Sequence, residues 1–311
     1  MRKKNILITG GTGFIGSNLA KMLVKKNFKI KIYDNYSRQS SKNINNLPKQ
    51  IKVIRGDIRN RDKFFNALKK TDIVIHLAYI NGTKFFYSRP VDILDIAIKG
   101  MLNVIEGCIK FNIKELYLAS SSEVYQTPKK VPTDELEPLK IPNIFNPRYS
   151  YGGGKILTEL MGVHYGKKYF KKLVIFRPHN VYGPNMGNEH VIPEFINRFK
   201  NLKGKKFKIQ GSGNEIRSFI HIDDFVKAFE LIMKKGKHLN IYNIGTSTKI
   251  KIKDLAKMMS KIFKKKIVLK KTKLSKGGTK IRIPNINKIK KLGFKPQIDL
   301  NKGLKKILYK Y

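Results

Sequence analysis

The chain begins with an apolar run, a glycine-rich turn and an amphipathic segment in direct succession. Residues 5–9, Asn-Ile-Leu-Ile-Thr, have the length and composition of a buried strand. Gly10-Gly-Thr-Gly13-Phe-Ile-Gly16 follows at once, and residues 18–26 have the spacing of a helix with one apolar face. A strand that passes through a glycine turn into a helix is the first half of a βαβ unit. The feature therefore predicts a parallel sheet covered by helices.

The same turn predicts a dinucleotide site. Glycines let the backbone approach a pyrophosphate at the N-terminus of a helix, where the helix dipole favours negative charge. A second predicted strand, residues 29–33, ends at Asp34. A carboxylate there can hydrogen-bond both ribose hydroxyls of NAD and repel the additional phosphate of NADP. A solvated strand end is the alternative for Asp34, and Arg38 keeps NADP as an alternative, but the strand, glycines and acid together favour NAD.

The alternation of short apolar runs and helical segments continues along the chain. It predicts an α/β fold with a Rossmann-type, doubly wound parallel sheet, followed beyond Arg177 by a smaller C-terminal α/β lobe for a substrate. The predicted strands of the sheet lie near 5–9, 29–34, 51–55, 72–76, 114–119 and 172–176, and the helices near 14–26, 61–70, 91–111 and 147–170. The later elements are helices near 189–202, 285–291 and 301–310 and strands near 205–209 and 266–270.

Tyr151-Gly-Gly-Gly-Lys155 places a phenol and an ammonium about one helical turn apart on one face. The lysine cation favours the phenolate of a tyrosine whose ordinary pKa is near 10, so the pair can carry a proton. A surface Tyr/Lys pair is the alternative. Asn146 is the predicted N-cap and Pro147 the first helical residue, which would put Tyr151 near the second turn. Three glycines in a helix each cost about 1 kcal/mol relative to alanine, which indicates close approach of a cofactor or a packed neighbour.

Six further motifs follow in order along the chain. They are Gly56-Asp57-Ile58, His76-Leu-Ala78, Ser120-Ser-Ser-Glu-Val-Tyr125, Arg177-Pro-His-Asn180-Val-Tyr-Gly-Pro184, Arg217-Ser-Phe-Ile-His-Ile-Asp-Asp224 and Lys290-Lys-Leu-Gly-Phe-Lys-Pro296. With the glycine turn and the Tyr-Lys pair they extend over nearly the whole chain. The chain resembles the extended short-chain dehydrogenase/reductase family, in its nucleotide-sugar epimerase/dehydratase branch. The resemblance implies an NAD-dependent enzyme that oxidises C4 of a nucleoside-diphosphate sugar and returns the hydride.

The resemblance also implies which residues form the site. Ser121 would hydrogen-bond the sugar hydroxyl, although the assignment is open by one position within Ser120 to Ser122, and capping of a strand end is its alternative role. Tyr151 would take the proton, while Lys155 tunes Tyr151 and binds the nicotinamide ribose. The implied cofactor contacts are Gly10, Gly13, Phe14, Ile15, Gly16, Asp34, Asn35, Asp57, Ile58, Leu77, Ala78, Tyr151 and Lys155.

The implied substrate contacts are Ser122, Asn180, Arg217 and Arg282. Asn180 and Arg217 match the residues that hold the diphosphate, and Arg282 stands where a second basic contact is usual. Arginine suits this task because its planar fork pairs with two phosphate oxygens. A surface cation is the alternative for each arginine. Phe85, Phe86 and Tyr87 either cover the sugar or fill the core, and the core is the favoured prediction.

Glu123 bears on which reaction the chain performs. Oxidation at C4 makes the C5 proton acidic, and a nearby carboxylate can then act as a base. Related 4,6-dehydratases carry Asp-Glu where this chain has Ser122-Glu123; the Ser-Glu pair is similar to UDP-glucuronate decarboxylases and to some 4-epimerases. The prediction is a UDP-sugar 4-epimerase, and the alternative is C5 chemistry by a catalytic Glu123, either decarboxylation or dehydration. Glu123 is otherwise a structural carboxylate.

Two further observations qualify the resemblance. The family commonly has Asn-Val-x-Gly-Thr where this chain reads Ala97-Ile-Lys-Gly100-Met101, so an amide near the catalytic lysine is missing. This argues against the best-known epimerase subgroup, but it removes no group that hydride transfer needs. A non-catalytic binding module with an NAD fold is the distant alternative, against which the intact Ser121, Tyr151 and Lys155 argue.

The domain and partner predictions follow. Residues 1–180 are the predicted NAD-binding domain, to which 215–246 return, and residues 181–311 are the nucleotide-sugar lobe. The resemblance implies a homodimer. A single cysteine, Cys108, and the absence of a long apolar run or signal peptide predict a cytoplasmic protein without a membrane partner.

The net charge of +45 comes from 66 basic and 21 acidic residues. The lysines are dispersed as doublets, with no aromatic-interleaved basic arm, so no specific nucleic-acid partner is predicted, and weak nonspecific binding is the alternative. A positive field would also attract an anionic nucleotide sugar. The histidines have no metal-ligand spacing.

Overall fold

A computed structural model of the protein describes residues 2–37, 41–273 and 277–308. The strands are β1 (Asn5–Thr9), β2 (Lys29–Asp34), β3 (Lys52–Arg55), β4 (Ile73–His76), β5 (Glu115–Ala119), β6 (Lys172–Pro178), β7 (Val181–Tyr182), β8 (Lys206–Gln210), β9 (Ile216–Arg217), β10 (Ile220–His221), β11 (Asn240–Ile244), β12 (Ile250–Lys251), β13 (Val268–Thr272) and β14 (Ile281–Arg282). The helices are α1 (Phe14–Lys25), α2 (Ser41–Asn45), α3 (Arg61–Leu68), α4 (Thr83–Ser88), α5 (Pro90–Asp95), α6 (Met101–Lys110), α7 (Tyr149–Tyr169), α8 (Val191–Lys200), α9 (Ile222–Lys235), α10 (Ile252–Ile262), α11 (Asn287–Lys290) and α12 (Leu300–Leu308). A π-helical turn, Ile96–Gly100, joins α5 to α6, and a 3-10 turn, Ser122–Tyr125, follows β5.

Seven parallel strands form the central sheet, in the order β11-β6-β5-β4-β1-β2-β3. The chain runs outward in one direction from β1 to β3 and in the other from β4 to β11. This reversal opens a crevice at the carboxyl ends of β1 and β4, where doubly wound sheets bind ligands. The predicted fold class is confirmed.

The sheet is buried on both faces, which explains the continuous apolar runs of its strands. Ile6 and Ile8 of β1 pack with the apolar sides of α1 and α9. Leu7 points to the opposite face and packs in the cluster that contains residues of α3 and α6. Alternation along a single strand therefore supplies both core layers.

A third apolar cluster lies in the smaller part of the molecule. It is built around Phe195 and Phe199 of α8, Phe207 of β8 and Leu255 of α10. The two parallel strands β8 and β13 and the three-stranded sheet β12-β9-β14 belong to this region. The predicted strands near 205–209 and 266–270 are present as β8 and β13.

The sequence analysis left two elements of the central layer unassigned. β11 adds the seventh strand by pairing with β6, in the register Asn240 to Val174, and α9 covers the sheet beside α1. Both lie within 215–246. The helix predicted over 91–111 is interrupted by the π-helical turn around Ala97, in which the backbone hydrogen bonds span five residues instead of four.

The helix that carries Tyr151 begins two residues later than predicted. The Asn146 side chain accepts a hydrogen bond from the Arg148 amide at 3.0 Å, and the Asn146 carbonyl accepts one from the Tyr149 amide at 3.0 Å. These bonds close a turn that precedes the regular helix. Tyr151 therefore lies on the first turn of α7 rather than near the second.

Among the described helices, none combines the length and the apolar composition that crossing a membrane requires.

Candidate active site

A cleft of about 1010 Å³ extends from the carboxyl ends of the central strands to the smaller sheets. Every residue that the sequence analysis placed in a cofactor or substrate site lies along its wall. The set comprises Gly10, Gly13, Phe14, Ile15, Gly16, Asp34, Asn35, Asp57, Ile58, Leu77, Ala78, Ser121, Ser122, Glu123, Tyr151, Lys155, Asn180, Arg217 and Arg282. The fold thus brings together positions that are up to 272 residues apart in the sequence.

The glycine turn between β1 and α1 requires glycine for steric reasons. Gly10 has a φ of +69°, and a Cβ there would lie 2.7 Å from the Ala78 amide nitrogen. A Cβ on Gly16 would lie 2.6 Å from the Gly10 carbonyl oxygen. Gly13 is the N-cap of α1, and among the described residues no side chain caps it. The first turn of α1 thus faces the cleft without a competing side chain, which fits a dinucleotide pyrophosphate.

Asp34 stands at the end of β2 beside this turn. Its Oδ2 accepts a hydrogen bond from the Thr12 amide at 3.0 Å, and its Oδ1 accepts one from the Tyr36 amide at 2.9 Å. The two bonds fix the carboxylate against the glycine turn, in a position that suits the ribose of NAD. Arg38, on which the NADP alternative depends, lies outside the described residues.

Asp57 lines the cleft and forms an ion pair with Arg59. It accepts hydrogen bonds from Arg59 and from the Asn35 side chain, both at 2.9 Å. Burial alone would raise the pKa of Asp57, but the bonds from Arg59 and Asn35 outweigh it and lower the pKa to about 2. Asp57 is therefore ionised at neutral pH and holds Asn35 in place.

Gly13 offers a test of this cofactor site. Its backbone, with φ of −68°, suits any residue, and the nearest atom to a Cβ would be the Gly10 oxygen at 3.3 Å. Gly13→Val should therefore preserve the fold but place two methyl groups where a pyrophosphate must approach. We expect the NAD affinity to fall at least about tenfold, measured by titration calorimetry, and Gly13→Ala to have a smaller effect. Unchanged affinity in Gly13→Val would place the cofactor elsewhere.

The three serines after β5 have different surroundings. Ser120 is buried and donates a hydrogen bond to the Glu159 carboxylate. Ser122 is buried within the 3-10 turn. Ser121 is half-buried, and its Oγ accepts a hydrogen bond from the Glu123 amide at 3.2 Å. Since Ser120 is committed to Glu159, Ser121 is the best placed of the three to meet a ligand.

Tyr151 lies on the buried side of α7 within an aromatic group. Its ring stacks on Phe86 of α4, with ring centres 4.6 Å apart, and lies perpendicular to the Tyr79 ring, with ring centres 5.3 Å apart. Phe86 is buried, Phe85 is half-buried and Tyr87 is exposed. Of the predicted core aromatics, Phe86 therefore also shapes the site, because it holds the Tyr151 ring.

Packed neighbours explain the glycines that follow Tyr151. A Cβ on Gly152 would lie 2.4 Å from the Gln126 side-chain nitrogen and 3.0 Å from the Glu123 carbonyl oxygen. A Cβ on Gly154 would lie 2.2 Å from the Tyr79 hydroxyl. The glycines thus let α7 approach both the turn that carries Glu123 and the Tyr79 ring.

Lys155 is buried one turn after Tyr151. Its Nζ donates a hydrogen bond to the Ala119 carbonyl at 2.8 Å and lies 3.8 Å from the centre of the Tyr79 ring. Burial lowers the pKa of Lys155 to about 7, although the nearby Glu159 carboxylate opposes the shift. A lysine with a pKa near neutrality changes charge in the range where a proton carrier must work.

Glu123 lies in a cluster of arginines beside the serine turn. It accepts a hydrogen bond from Arg282 at 2.6 Å and a longer one from Arg148 at 3.4 Å. Burial alone would raise the pKa of Glu123, but the charges of Arg282, Arg148 and Arg217 lower it to about 2. The carboxylate is therefore ionised and paired, and the three arginines leave the cluster with a positive net charge.

Asn180 and Arg217 line the cleft beside this cluster. Asn180 has a φ of +42°, and its side chain donates to the Ser218 carbonyl at 2.8 Å. Arg217 donates to the carbonyls of Ile216 at 2.8 Å and Thr279 at 2.7 Å. These backbone bonds fix both side chains at the wall of the cleft.

The sequence analysis did not identify the polar network beneath the serines. Arg177 forms two bonds to Glu159, at 2.8 and 2.6 Å, and a third to the Tyr125 hydroxyl at 2.7 Å. Ser120 closes the network on Glu159. Glu159 lies one helical turn beyond Lys155, a spacing that could have indicated its position.

Arg148 and Tyr79 were also missed as site residues. Arg148 precedes Tyr151 by three residues, and Tyr79 directly follows the His76-Leu-Ala78 motif. Within the described ranges, no cluster of three or more histidine, cysteine, aspartate or glutamate side chains could hold a metal ion.

Comparison with known proteins supports the same assignment. The model of the NAD dependent epimerase/dehydratase family matches residues 6–245. The chain is 35% identical over 273 residues to dTDP-D-glucose 4,6-dehydratase of Dictyostelium discoideum. This alignment covers 83% of this chain but only 62% of that protein. It is 30% identical to UDP-N-acetyl-alpha-D-glucosaminuronate decarboxylase of Bacillus cytotoxicus, over 98% of this chain and 97% of the relative.

A solved structure has the same architecture over nearly the full length. UDP-glucose 4-epimerase from Thermotoga maritima, crystallised with UDP-glucose, superimposes with a TM-score of 0.88 at 28% identity, over 98% of this chain and 97% of that chain. The sequence motifs, the strand order of the sheet, the residues that line the cleft and the match to the family model all point to one family. The chain belongs to the NAD-dependent epimerase/dehydratase family.

Proposed function

We propose that the protein is a UDP-sugar 4-epimerase, which oxidises C4 of a nucleoside-diphosphate sugar and returns the hydride to the opposite face of the 4-keto sugar. One observation carries the proposal. Ser121, Tyr151 and Lys155 line the same cleft as the glycine turn, whereas Glu123, the candidate base for C5 chemistry, is engaged in ion pairs and has a pKa of about 2. A carboxylate with so low a pKa is a weak base at neutral pH.

The residues divide into three roles. Ser121 hydrogen-bonds the C4 hydroxyl of the sugar, and Tyr151 takes its proton. Lys155, as a cation, favours the Tyr151 phenolate and binds the nicotinamide ribose. Bound NAD supplies the acceptor for the hydride, and its remaining contacts come from Gly10, Gly13, Phe14, Ile15, Gly16, Asp34, Asn35, Asp57, Ile58, Leu77 and Ala78.

The substrate lies toward the arginines. We assign Asn180, Arg217 and Arg282 to the diphosphate and Ser122 to the sugar. In this assignment residues 1–180 together with 215–246 form the NAD-binding domain and the remainder of 181–311 forms the smaller lobe, and the nucleotide sugar contacts both parts. A homodimer and a cytoplasmic location stay predictions.

Incubation with a panel of nucleotide sugars tests the proposal. The purified protein is supplied with UDP-glucose, UDP-N-acetylglucosamine, UDP-glucuronate, dTDP-glucose and GDP-mannose, and the products are analysed by mass and by sugar composition. The proposal expects a product of unchanged mass with an altered sugar. Loss of water or carbon dioxide contradicts it.

Decarboxylation at C5 is the second candidate. The observation that favours it is the excess positive charge near Glu123, because Arg148 and Arg282 could pair with the carboxylate of a hexuronate as well as with Glu123. Arg148 directly precedes the helix that carries Tyr151, so this charge lies toward the reacting end of the sugar. A product that has lost carbon dioxide would support this candidate.

Glu123→Gln separates the two candidates. An epimerase needs no carboxylate base, so its kcat should stay within about tenfold of the unmodified enzyme, whereas a C5 enzyme should lose about 10²-fold or more. Steady-state assays with the substrate found in the panel measure the difference. Glu215→Gln is the control, because Glu215 lines the same cleft but accepts hydrogen bonds from Ser212 and Gly213. A large loss of kcat in Glu123→Gln alone would overturn the epimerase proposal.

A further inference from the structure

Tyr79 contacts both members of the proposed proton carrier. It follows β4 and lines the cleft. The Lys155 Nζ lies 3.8 Å from the centre of its ring. The same ring meets Tyr151 at 89°, with the ring centres 5.3 Å apart. A cation within about 6 Å of an aromatic face is attracted by the ring quadrupole.

Two small residues make room for this ring. Tyr79 is accommodated because position 154 of α7 is glycine, where a Cβ would lie 2.2 Å from the Tyr79 hydroxyl and 3.0 Å from the Ala97 Cβ. Ala97 lies in the π-helical turn and replaces the amide that the resemblance led us to expect near Lys155. The tyrosine ring therefore fills the space between Ala97, Gly154 and the ammonium.

The other groups around Lys155 give its charge little support. Its hydrogen bond goes to the neutral Ala119 carbonyl. His76 is buried, and burial together with the Lys155 charge lowers its pKa to about 3, so it is neutral. Glu159 on the same helix is the nearby carboxylate, but both of its oxygens are bonded to Arg177. The ring face of Tyr79, in direct contact with the ammonium, is thus placed to favour the cation in addition to the Glu159 carboxylate.

We propose that Tyr79 is a positioning residue of the reaction: its ring face stabilises the Lys155 ammonium, and its perpendicular contact with the Tyr151 ring fixes that ring. The inference rests on the proposed function, since it takes Lys155 and Tyr151 as the proton carrier. The role belongs to the ring and not to the hydroxyl. Burial raises the pKa of Tyr79 well above its ordinary value, with a smaller contribution from Tyr151, so its hydroxyl stays protonated at neutral pH and does not act as a base.

Removal of the Tyr79 ring face should shift the pKa values of Lys155 and Tyr151 in opposite directions. Without the ring face, the buried Lys155 loses its proton at lower pH. The Tyr151 phenolate then loses the cation beside it, and its pKa rises. Tyr79→Phe keeps the ring face and should leave the Tyr151 pKa unchanged. Replacement of Tyr79 by pentafluorophenylalanine keeps the shape of the ring but reverses its quadrupole. This variant should raise the midpoint of the Tyr151 titration by on the order of one pH unit.

Tyrosinate absorbance of the NAD-loaded enzyme without substrate measures this midpoint. The titration of Tyr151 is isolated by subtracting that of the Tyr151→Phe variant. We expect the midpoint of Tyr79→Phe to match the unmodified enzyme and that of the fluorinated variant to be higher. The midpoint of Tyr79→Leu should also be higher, provided that this variant unfolds at the temperature of the unmodified enzyme. Equal midpoints in the Phe and fluorinated variants would overturn the inference.

The assay is independent of turnover. If no nucleotide sugar were converted, the proposed function would fail while the titration still reported the contact between Tyr79 and Lys155. Where the unmodified enzyme converts a substrate, deprotonation of Lys155 should set the alkaline limb of the pH profile of kcat/KM. This limb should move to lower pH in the fluorinated variant and stay in place in Tyr79→Phe. A limb that does not move contradicts the inference even if epimerisation is established.

Discussion

Tyr151→Phe is expected to lower kcat by about 10²- to 10⁴-fold, the usual effect of removing a general acid–base group. The phenyl ring can keep the stacking on Phe86 and the edge contact with Tyr79, so the packing of α7 should be preserved. The variant lacks only the hydroxyl that we propose takes the C4 proton. Its NAD affinity should therefore stay within about threefold of the unmodified enzyme, a difference below about 1 kcal/mol.

Tyr149→Phe is the matched control. Tyr149 lies on the same first turn of α7 and is also buried, but its hydroxyl lies next to Gly277 and not in the aromatic group around Tyr151. Steady-state kinetics and NAD titration on both variants separate the loss of a proton carrier from a general disturbance of the helix. Full activity in Tyr151→Phe would refute the catalytic assignment, whereas an intact cellular function in a variant without activity would favour the binding-module alternative.

Glu159→Gln is expected to destabilise the fold strongly. Glu159 and Arg177 are almost completely enclosed, with side chains 5% and 2% exposed. Burial works against the Arg177 cation, but its bonds to the Glu159 carboxylate keep the pKa of Arg177 above its ordinary value. Removing one charge leaves the other buried without its counter-ion, which costs about 3–5 kcal/mol in comparable pairs.

Urea denaturation of the NAD-free protein measures this loss of unfolding free energy. Glu230→Gln is the control, because Glu230 pairs with Lys234 at the surface, where such pairs contribute about 0–1 kcal/mol. Replacing both partners, as in Glu159→Met with Arg177→Met, should recover part of the loss because neither charge is then unpaired. If Glu159→Gln unfolded at the same urea concentration as Glu230→Gln, the network would not stabilise the site.

The strands and helices of the first half of the fold could be predicted because local sequence patterns specify them. A glycine turn between a strand and a helix specifies its own geometry through the crowding at Gly10 and Gly16, and short apolar runs of four to six residues give the parallel strands. β11 and α9 were missed as individual elements. Their place in the central layer depends on pairing with β6 and packing beside α1, contacts that no local pattern specifies.

The residues predicted for the candidate site are those that occur in sequence motifs, and the residues missed are those that only packing brings to the cleft. Ser121, Tyr151 and Lys155 occur in patterns that a sequence displays. Arg148 and Tyr79 acquire a role only when α7 lies against the turn after β5 and the end of β4. The Glu123 pairing could not be predicted for the same reason, since Arg282 is 159 residues away.

Transfer of deuterium tests the central claim most directly. The substrate identified in the panel is supplied with deuterium at C4, in water, and a parallel reaction uses unlabelled substrate in deuterated water. The account predicts a 4-epimer that keeps its C4 deuterium and acquires none from solvent at C5. Solvent deuterium at C5, migration of the label to C6 with loss of water, or release of carbon dioxide would contradict it.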